Sequence, residues 1–197
     1  MREPAIVTIC SSLKGAGLTQ EKRSASRQVL SIVEGGLRRA GNAVHSFDLK
    51  TLGIPLFEGL PLSAYQRPDL DDLVEKLRRC QRLVLSVPAY WGGPSGIAKN
   101  LLDVLGGALY DNPLDQSHER ALPLENCLVA LVVIGAAADD AKRADAQLRV
   151  TVRLMGGEVV SRSFLCDNPR TEDPETLIRT AWDYAAFCHL EFNGGAR

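Results

Sequence analysis

The sequence lacks the clusters of side chains that build disulfide frameworks or metal centres. Its five cysteines stand far apart and include no C-x-x-C pair: Cys10, Cys80, Cys127, Cys166 and Cys188. The three histidines are equally scattered: His45, His118 and His189. A zinc site, an iron–sulfur cluster and a disulfide framework are therefore not expected. We interpret the cysteines as small apolar packing residues.

Long hydrophobic runs and a strong charge of either sign are also missing. No segment approaches the ~20 apolar residues that span a bilayer. The amino terminus, MREPAIVTIC, lacks the apolar stretch and cleavage site of a secretory signal. The formal net charge of −1 gives no electrostatic reason to expect nucleic acid or an anionic membrane as a partner. We therefore expect a cytoplasmic protein.

What the sequence does contain is a regular alternation of strand and helix patterns, and 197 residues suit one domain spanning 1–197. Five strands are predicted at Ala5–Cys10, Ala43–Leu49, Arg82–Val87, Leu128–Ile134 and Glu158–Leu165. Five helices are predicted at about 24–40, 69–79, 95–105, 141–154 and 174–192. This order predicts an α/β protein with a five-stranded parallel sheet between two helical layers.

Details of the pattern fix several element ends. Ser24 and Asp69 are expected to cap the first and second helices, and Gly41 with Asn42 to end the first. Pro88 is expected to end the third strand. In sheets of this kind, ligands bind beyond the carboxyl ends of the strands where the strand order reverses. The loops 11–24, 88–95 and 135–140 are therefore the candidate binding loops.

The first of these loops reads S-S-L-K-G-A-G-L-T-Q-E-K-R-S-A-S-R and combines hydroxyls with cations. A phosphate group needs hydroxyl donors, backbone N–H groups at a helix start and a positive charge. Ser12, Ser24, Ser26 and Lys14 supply such groups. The alternative is a polar surface loop in which Ser24 only caps the helix. Neither G-x-G-x-x-G nor G-K-[ST] follows the first strand, which argues against a dinucleotide-binding domain or a P-loop nucleotidase.

The second loop, P-A-Y-W-G-G-P-S-G, places two adjacent aromatic residues, Tyr90 and Trp91, among glycines. A planar heteroaromatic ring could rest against such a loop, with backbone amides as hydrogen-bond donors. The alternative is a turn whose aromatic side chains pack on the core or on a partner subunit.

The segment from Pro88 to Leu105 resembles the P-E-Y-N-G-S-x-P-G-x-L-K-N-A-L-D-W-L segment of NAD(P)H-dependent FMN reductases. The matching positions are Pro88, Tyr90, Gly92, Gly96, Lys99, Asn100, Leu102 and Asp103. The first loop is similar to that family's G-S-x-R…S-x-S-R phosphate loop, at 11–14 and 24–27. The stretch from Phe47 to Phe57 is similar to its D-L-x-x-L-x-L-P-x-F/Y segment.

This resemblance implies a flavodoxin-like three-layer fold that holds FMN without a covalent bond. Ser12, Lys14, Ser24 and Ser26 would then bind the FMN phosphate. The isoalloxazine would be lined by Pro88, Ala89, Tyr90, Trp91, Gly92 and Gly93. The cofactor would take hydride from NADPH or NADH, so that no catalytic side chain and no metal is expected. A flavin-dependent monooxygenase is a possible partner, and family members are commonly homodimers or homotetramers.

The sequence departs from the family pattern at several positions of these loops. Ala89 and Trp91 replace an acidic residue and an asparagine, Ser11 replaces a glycine, and Lys14 replaces an arginine. The first loop is longer than usual, so Gly17 and Thr19 are alternative phosphate contacts. Asp139 and Asp140, after the fourth predicted strand, would place two carboxylates near the ring.

Three functional hypotheses follow from the resemblance and these departures. The first is an NAD(P)H-dependent FMN reductase that passes electrons to a flavin, a quinone, an azo dye or a similar acceptor. The second is a specialised FMN enzyme acting on one pathway metabolite. The third is a flavodoxin-like electron carrier without NAD(P)H oxidation, although the near-neutral charge argues against it. A generic nucleotide-binding module is a more distant alternative.

Overall fold

The computed structural model describes residues 5–14, 24–110, 122–169 and 171–194. Its strands are β1 (Ala5–Cys10), β2 (Ala43–Asp48), β3 (Arg82–Tyr90), β4 (Gly93–Pro94), β5 (Leu128–Gly135), β6 (Glu158–Val159) and β7 (Phe164–Asp167). The sheet runs in the order β2-β1-β3-β5, and β6 and β7 both pair with β5. All of these pairings are parallel, while β4 folds back antiparallel against the end of β3.

The helices cover both faces of this sheet. They are α1 (Ala25–Arg39), α2 (Leu49–Leu52), α3 (Pro68–Cys80), α4 (Gly96–Gly106), α5 (Asp140–Leu154) and α6 (Pro174–Gly194), with short 3₁₀ turns at Leu62–Tyr65 and Gly107–Tyr110. One core cluster joins the sheet to α3, α4 and α5, and a second joins it to α1 and α6. The predicted three-layer α/β/α architecture with a parallel sheet is confirmed.

The strand sequences explain why the sheet is covered twice. Along β5, Val129, Leu131 and Val133 belong to one core cluster, while Ala130 and Val132 belong to the other. Side chains of a strand alternate between faces, so a strand buried on both faces must be apolar at nearly every position. The unbroken run LVALVVI meets that requirement.

Helices α1 and α6 pack unusually closely on the second face. A Cβ added at Gly36 of α1 would lie 2.5 Å from the Cβ of Ala185 on α6, so a glycine is needed at this contact. Trp182 of α6 lies against the same glycine, and the Arg39 guanidinium sits 4.5 Å from the Trp182 ring centroid. The Trp182 indole is therefore a packing residue of the α1–α6 contact, held from above by a cation–π interaction.

The third strand is longer than the sequence predicted, because Pro88 lies within it rather than after it. β3 continues to Tyr90, and Pro88 pairs with Ile134 of β5. On the other side, the pairing with β1 ends at Ser86. A proline lacks the N–H that a ladder needs. Beyond Ser86, β3 has no β1 partner, so the missing N–H of Pro88 costs the sheet little.

Other element ends test the remaining predictions. Ser24 caps α1 through its side chain, and the N–H groups of Gly41 and Asn42 close its carboxyl end, as predicted. The prediction that Asp69 caps α3 is wrong: the cap is Arg67, Pro68 is the first helical residue, and Asp69 lies in the first turn. Proline is favoured at that first helical position, where no N–H is required.

The fifth predicted strand is split into β6 and β7, which pair with opposite ends of β5. Residues 160–163 belong to neither strand, although the N–H of Val160 still donates to the carbonyl of Val129 on β5. Within this segment the carbonyl of Val160 and the hydroxyl of Ser163 accept hydrogen bonds from the Arg149 side chain of α5. Hydrophobic periodicity gives no sign of this interruption.

All five cysteines are free thiols, and four of them are buried. Burial raises the pKa of Cys127 and of Cys188 to about 12, because the thiolate is poorly solvated there. This agrees with their interpretation as packing residues. Within the described ranges, no helix combines the length and the apolar character needed to cross a membrane.

Candidate functional site

Three loops meet at one edge of the sheet, where the neighbouring strands β1, β3 and β5 end. These strands finish at Cys10, Tyr90 and Gly135. The chain goes from β1 to β2 on one side and to β3 on the other, so the strand order reverses beside β1. Clefts at such a reversal are the usual ligand sites of open α/β sheets. The described parts of the loops predicted from the sequence therefore lie at the same edge of the sheet.

The first loop brings two of the predicted phosphate residues into direct contact. The hydroxyl of Ser24 donates to the hydroxyl oxygen of Ser12 over 2.7 Å and accepts the backbone N–H of Arg27 over 3.3 Å. Both serines are buried. In this direction of donation the Ser12 hydroxyl keeps its own proton for another acceptor. Ser24 can therefore cap the helix and still take part in anion binding, because the Ser12 hydroxyl remains available as a hydrogen-bond donor.

The other predicted phosphate residues lie differently. Lys14 is exposed on the loop, and its carbonyl accepts a long bond of 3.4 Å from Arg27. Ser26 is buried in the first turn of α1, and its carbonyl accepts the Ser86 hydroxyl over 3.0 Å. The alternative contacts Gly17 and Thr19 lie outside the described residues.

The cation that organises this loop is Arg27, which was not among the binding residues predicted from the sequence. Its guanidinium makes a two-pronged ion pair with the Asp48 carboxylate at the end of β2. The same guanidinium donates to the carbonyl of Ser12 over 2.9 Å. The hydrogen bond that the Arg27 guanidinium donates to Asp48 is the main reason that the pKa of Arg27 is raised. Arg27 therefore fixes the loop to the neighbouring strand instead of pointing its charge at a ligand.

A buried cluster of serines joins the first loop to the second. The Ser11 hydroxyl donates to the carbonyl of Ser86 over 2.8 Å, and the Ser95 hydroxyl donates to the carbonyl of Ser11 over 3.3 Å. All three residues are at most 4% exposed. The serine found where the family has a glycine thus has its own hydrogen-bond partners. The one signal for Ser86 was its position as the single hydroxyl in the apolar strand RLVLSV.

The second loop is a tight hairpin turn between β3 and β4. Ala89 pairs with Pro94, and Tyr90 pairs with Gly93, which leaves Trp91 and Gly92 at the tip. Pro88 and Ala89 are buried, whereas Tyr90 is 44% exposed and Trp91 is fully exposed. The Trp91 side chain therefore does not pack on the core, whereas the Tyr90 side chain is partly covered. The Gly92 carbonyl accepts the Gln147 amide of α5 over 3.0 Å, which holds the turn against that helix.

Asn100, a motif residue of α4, holds a further loop beside the second one. Its side-chain oxygen accepts the N–H of Phe57 over 2.9 Å, and its amide donates to the carbonyl of Pro55 over 2.7 Å. The two segments that resemble the family, from Phe47 to Phe57 and from Pro88 to Leu105, are thus hydrogen-bonded to each other. An amide is required here because one bond needs an acceptor and the other needs a donor.

The third loop turns one of its two carboxylates, that of Asp140, inward. Asp140 is 7% exposed, and it accepts the N–H of Ala137 over 3.1 Å. Asp167, at the end of β7, accepts the N–H of Ala141 over 2.9 Å. The Asp140 carboxylate is therefore occupied within its own loop. Asp139 is exposed, with a positive φ of +62°.

The described residues fit the two ends of FMN. At the phosphate end, paired hydroxyls stand at the start of a 15-residue helix with no acidic residue in its first turn. The amino terminus of a helix carries partial positive charge, which favours a phosphate dianion. At the ring end, a hairpin with open aromatic side chains borders the same edge. In the described ranges, no group of three or more His, Cys, Asp or Glu residues could hold a metal ion.

Two cavities lie outside this edge or on its margin. The larger, of about 460 Å³, is an open groove between the 3₁₀ turn at Leu62 and α3. The smaller, of about 180 Å³, lies beside Cys10, Arg27 and Asp48 on the side of β2. Neither of these two cavities contains the Ser12–Ser24 pair or the Tyr90–Gly93 turn.

A doubly wound parallel sheet in this order, with a hydroxyl-rich loop after its first strand, defines a flavodoxin-like protein. The family model for NADPH-dependent FMN reductases matches residues 4–170 of the chain. The chain therefore belongs to the NADPH-dependent FMN reductase family. The resemblance noted in the sequence is thereby confirmed.

Known proteins of several kinds are similar to this chain. The Bacillus subtilis protein YwqN, named as an NAD(P)H-dependent FMN-containing oxidoreductase, is 28% identical over an alignment of 98 residues, and the match covers 42% of this chain and 54% of that protein. The match thus spans about half the length of this relative. Among solved structures, the apo form of the NADH:FMN oxidoreductase EmoB has a TM-score of 0.68 at 15% identity, covering 98% of this chain and 91% of that one. A WrbA-like flavodoxin from Agrobacterium tumefaciens has a TM-score of 0.64 at 14% identity, covering 96% and 97%.

Proposed function

We propose that this protein binds FMN and uses NADPH or NADH to reduce it, passing the electrons to a second acceptor. The observation that carries the proposal is the Ser12–Ser24 hydroxyl pair at the amino terminus of α1, in a member of the FMN reductase family. A site for FMN needs phosphate donors at this position of the fold. It also needs an open edge where planar substrates reach the ring, and the Tyr90–Gly93 turn borders that edge.

The protein's own residues then bind and orient. Bound FMN would supply the chemistry: it would take a hydride from NAD(P)H and, with one further proton from solvent, pass two electrons and two protons to the acceptor. Ser12, Ser24, Ser26 and Lys14 are proposed to hold the phosphate end. Pro88, Ala89, Tyr90, Trp91, Gly92 and Gly93 are proposed to line the ring, with backbone N–H groups of the turn as donors. No side chain is assigned an acid or base role.

The acceptor is proposed to be a planar molecule such as a free flavin, a quinone or an azo dye, or the flavin of a monooxygenase partner. A specialised FMN enzyme for one metabolite is the second candidate, and Trp91 in place of the family's asparagine is the observation that favours it. An electron carrier without NAD(P)H oxidation is the third.

The test is an anaerobic titration of the purified protein, reconstituted with FMN and freed of unbound flavin, with NADPH and with NADH. We expect a yellow protein whose oxidised flavin band is bleached by about one equivalent of the preferred nucleotide, since each hydride carries two electrons. A yellow protein that neither nucleotide bleaches would contradict the proposed donor and support the carrier. A protein that does not retain FMN would overturn the cofactor assignment.

We also propose that the protein is a cytoplasmic homodimer that pairs through α5. Three residues of one outward stripe of this helix are exposed, namely Ala146, Val150 and Leu154, the last two at 55% and 75%. They stand four residues apart, so they share one side of the helix. Contiguous exposed apolar residues mark protein interfaces. The cytoplasmic location is supported by the five cysteines of the protein, because free thiols suit a reducing compartment.

Light scattering after size-exclusion chromatography tests the dimer. We expect a dimer for the native chain and a monomer for Leu154→Glu, because a buried carboxylate without a partner would cost more than the contact returns. Leu190→Glu, at a position of α6 that is 69% exposed and away from this stripe, should remain dimeric. A native chain that is monomeric at about 100 μM, well above typical dissociation constants of specific dimers, would refute the interface.

A further inference from the structure

Trp91 lies in a backbone conformation that is unfavourable for a tryptophan. Trp91 and Gly92 are the two central residues of the hairpin turn, with φ values of +56° and +73°. Turns with two such residues strongly favour Asn-Gly, because a short polar side chain tolerates positive φ. A bulky residue in this conformation is a true outlier. The turn would therefore be more stable with the asparagine of the family pattern.

Packing does not compensate for this strain. The Trp91 side chain is fully exposed, so the indole removes no apolar surface from water in the isolated chain. The other tryptophan, Trp182, shows the ordinary case, since it packs on Gly36 and carries Arg39 above its ring. Strained residues without local compensation cluster at ligand sites. The contrast between the two tryptophans indicates that Trp91 meets its partner from solution.

The backbone beneath Trp91 is firmly held, so the indole stands on a fixed base. Gln147 donates to the Gly92 carbonyl over 3.0 Å. The Arg143 side chain lies against Gly92, where an added Cβ would meet its Nε at 2.9 Å. Arg143 is itself bonded to the carbonyl of Ala138 over 2.9 Å. These contacts connect the hairpin turn of the second loop to α5 and, through Arg143, to the third loop.

We propose that the Trp91 indole is a stacking platform that selects planar aromatic electron acceptors at the edge of the flavin site. This inference rests on the proposed function and deepens it by naming a residue that determines specificity. An aromatic ring such as the indole favours offset stacking on another planar ring. Because the hairpin already holds the indole in place, less conformational entropy is lost when the acceptor binds. Tyr90, 44% exposed beside it, widens the same aromatic surface.

The first test uses fluorescence, because the chain has two tryptophans and each can be isolated. In the FMN-bound Trp182→Phe variant the emission comes from Trp91, and in Trp91→Phe it comes from Trp182. Titration with 2-methyl-1,4-naphthoquinone should quench Trp91 saturably, with a midpoint near the KM of that quinone, and should leave Trp182 with weak linear quenching. Linear quenching of Trp91 would refute a bound complex. Saturable quenching by NADP⁺ in place of the quinone would assign the platform to the nucleotide.

The second test compares acceptors in the Trp91→Asn and Trp91→Phe variants. The ratio of kcat/KM for the naphthoquinone to kcat/KM for ferricyanide, which has no aromatic ring, cancels effects on the steps that both acceptors share. We expect this ratio to fall about 10-fold in Trp91→Asn, the equivalent of one good stacking contact. Trp91→Phe should keep most of it. An unchanged ratio in Trp91→Asn would overturn the proposal.

Thermal stability separates a ligand platform from a structural residue. Because asparagine suits the turn better, Trp91→Asn should raise Tm by about 2–4 °C in a chain of this size. A lower Tm would show that the indole stabilises the fold. If the Trp91 emission instead changes with protein concentration, and returns to its low-concentration value in Leu154→Glu, Trp91 lies in a dimer contact. Failure of the proposed function would be distinguished by the anaerobic titration, because the flavin of the native protein would then not be bleached by NADPH or NADH.

Discussion

Replacing Arg27 with methionine should lower the free energy of unfolding by about 2 kcal/mol and weaken FMN binding by at least about 10-fold. Hydrogen bonds to charged groups are worth about 1.5–3 kcal/mol when one partner is removed. The substitution leaves the Asp48 carboxylate, 27% exposed, without its guanidinium. It also releases the carbonyl of Ser12, so the hydroxyl pair that is proposed to bind the phosphate loses its anchor. Urea unfolding and fluorescence titration with FMN measure the two effects.

Arg38→Met on the same helix is the matched control. Arg38 is 49% exposed and pairs with Glu34 at 3.4 Å, so its loss should change the unfolding free energy by less than about 0.5 kcal/mol and FMN binding not at all. Arg27→Lys keeps the charge but loses the planar fork, and should fall between the two. Equal effects of the two methionine variants would show that the Arg27 bridge does not organise the loop.

Gly135→Ala should be the most disruptive single methyl group in the site. The added Cβ would lie 2.0 Å from Oδ1 of Asp167, 2.8 Å from the Cβ of Asp140 and 2.9 Å from the backbone nitrogen of Ala141. Two of these three atoms cannot move without displacing the start of α5. Overpacking of this kind costs about 1–3 kcal/mol and more where the backbone must shift. We expect a loss of about 3 kcal/mol in urea unfolding, together with weaker FMN binding.

Gly106→Ala provides the comparison, because nothing lies within 4 Å of a Cβ at this helical position. It should be neutral or slightly stabilising, since alanine favours helix over glycine. Adding Asp167→Ala to Gly135→Ala removes one of the three clashes and should recover part of the stability. If Gly135→Ala and Gly106→Ala behave alike, the third loop is more adaptable than its contacts indicate.

The sequence by itself determined the class of fold, because alternating strand and helix patterns in one chain leave few arrangements that bury every apolar face. The run LVALVVI predicted a strand covered on both faces, and β5 is such a strand. The hydroxyl at Ser24 predicted a helix cap, and it is one. These features depend on residues near one another in the chain, so local pattern is sufficient to predict them.

Only the tertiary structure decided which residues hold the site together. Arg27 and Asp48 belong to different elements, and their pairing depends on the register of β1 against β2. Pro88 could lie inside β3 because the pairing with β1 ends at Ser86, two residues earlier. The Asp167 carboxylate at the end of β7 holds the start of α5 because it accepts the N–H of Ala141. Each outcome depends on distances between segments far apart in sequence, and residue type and spacing contain no measure of those distances.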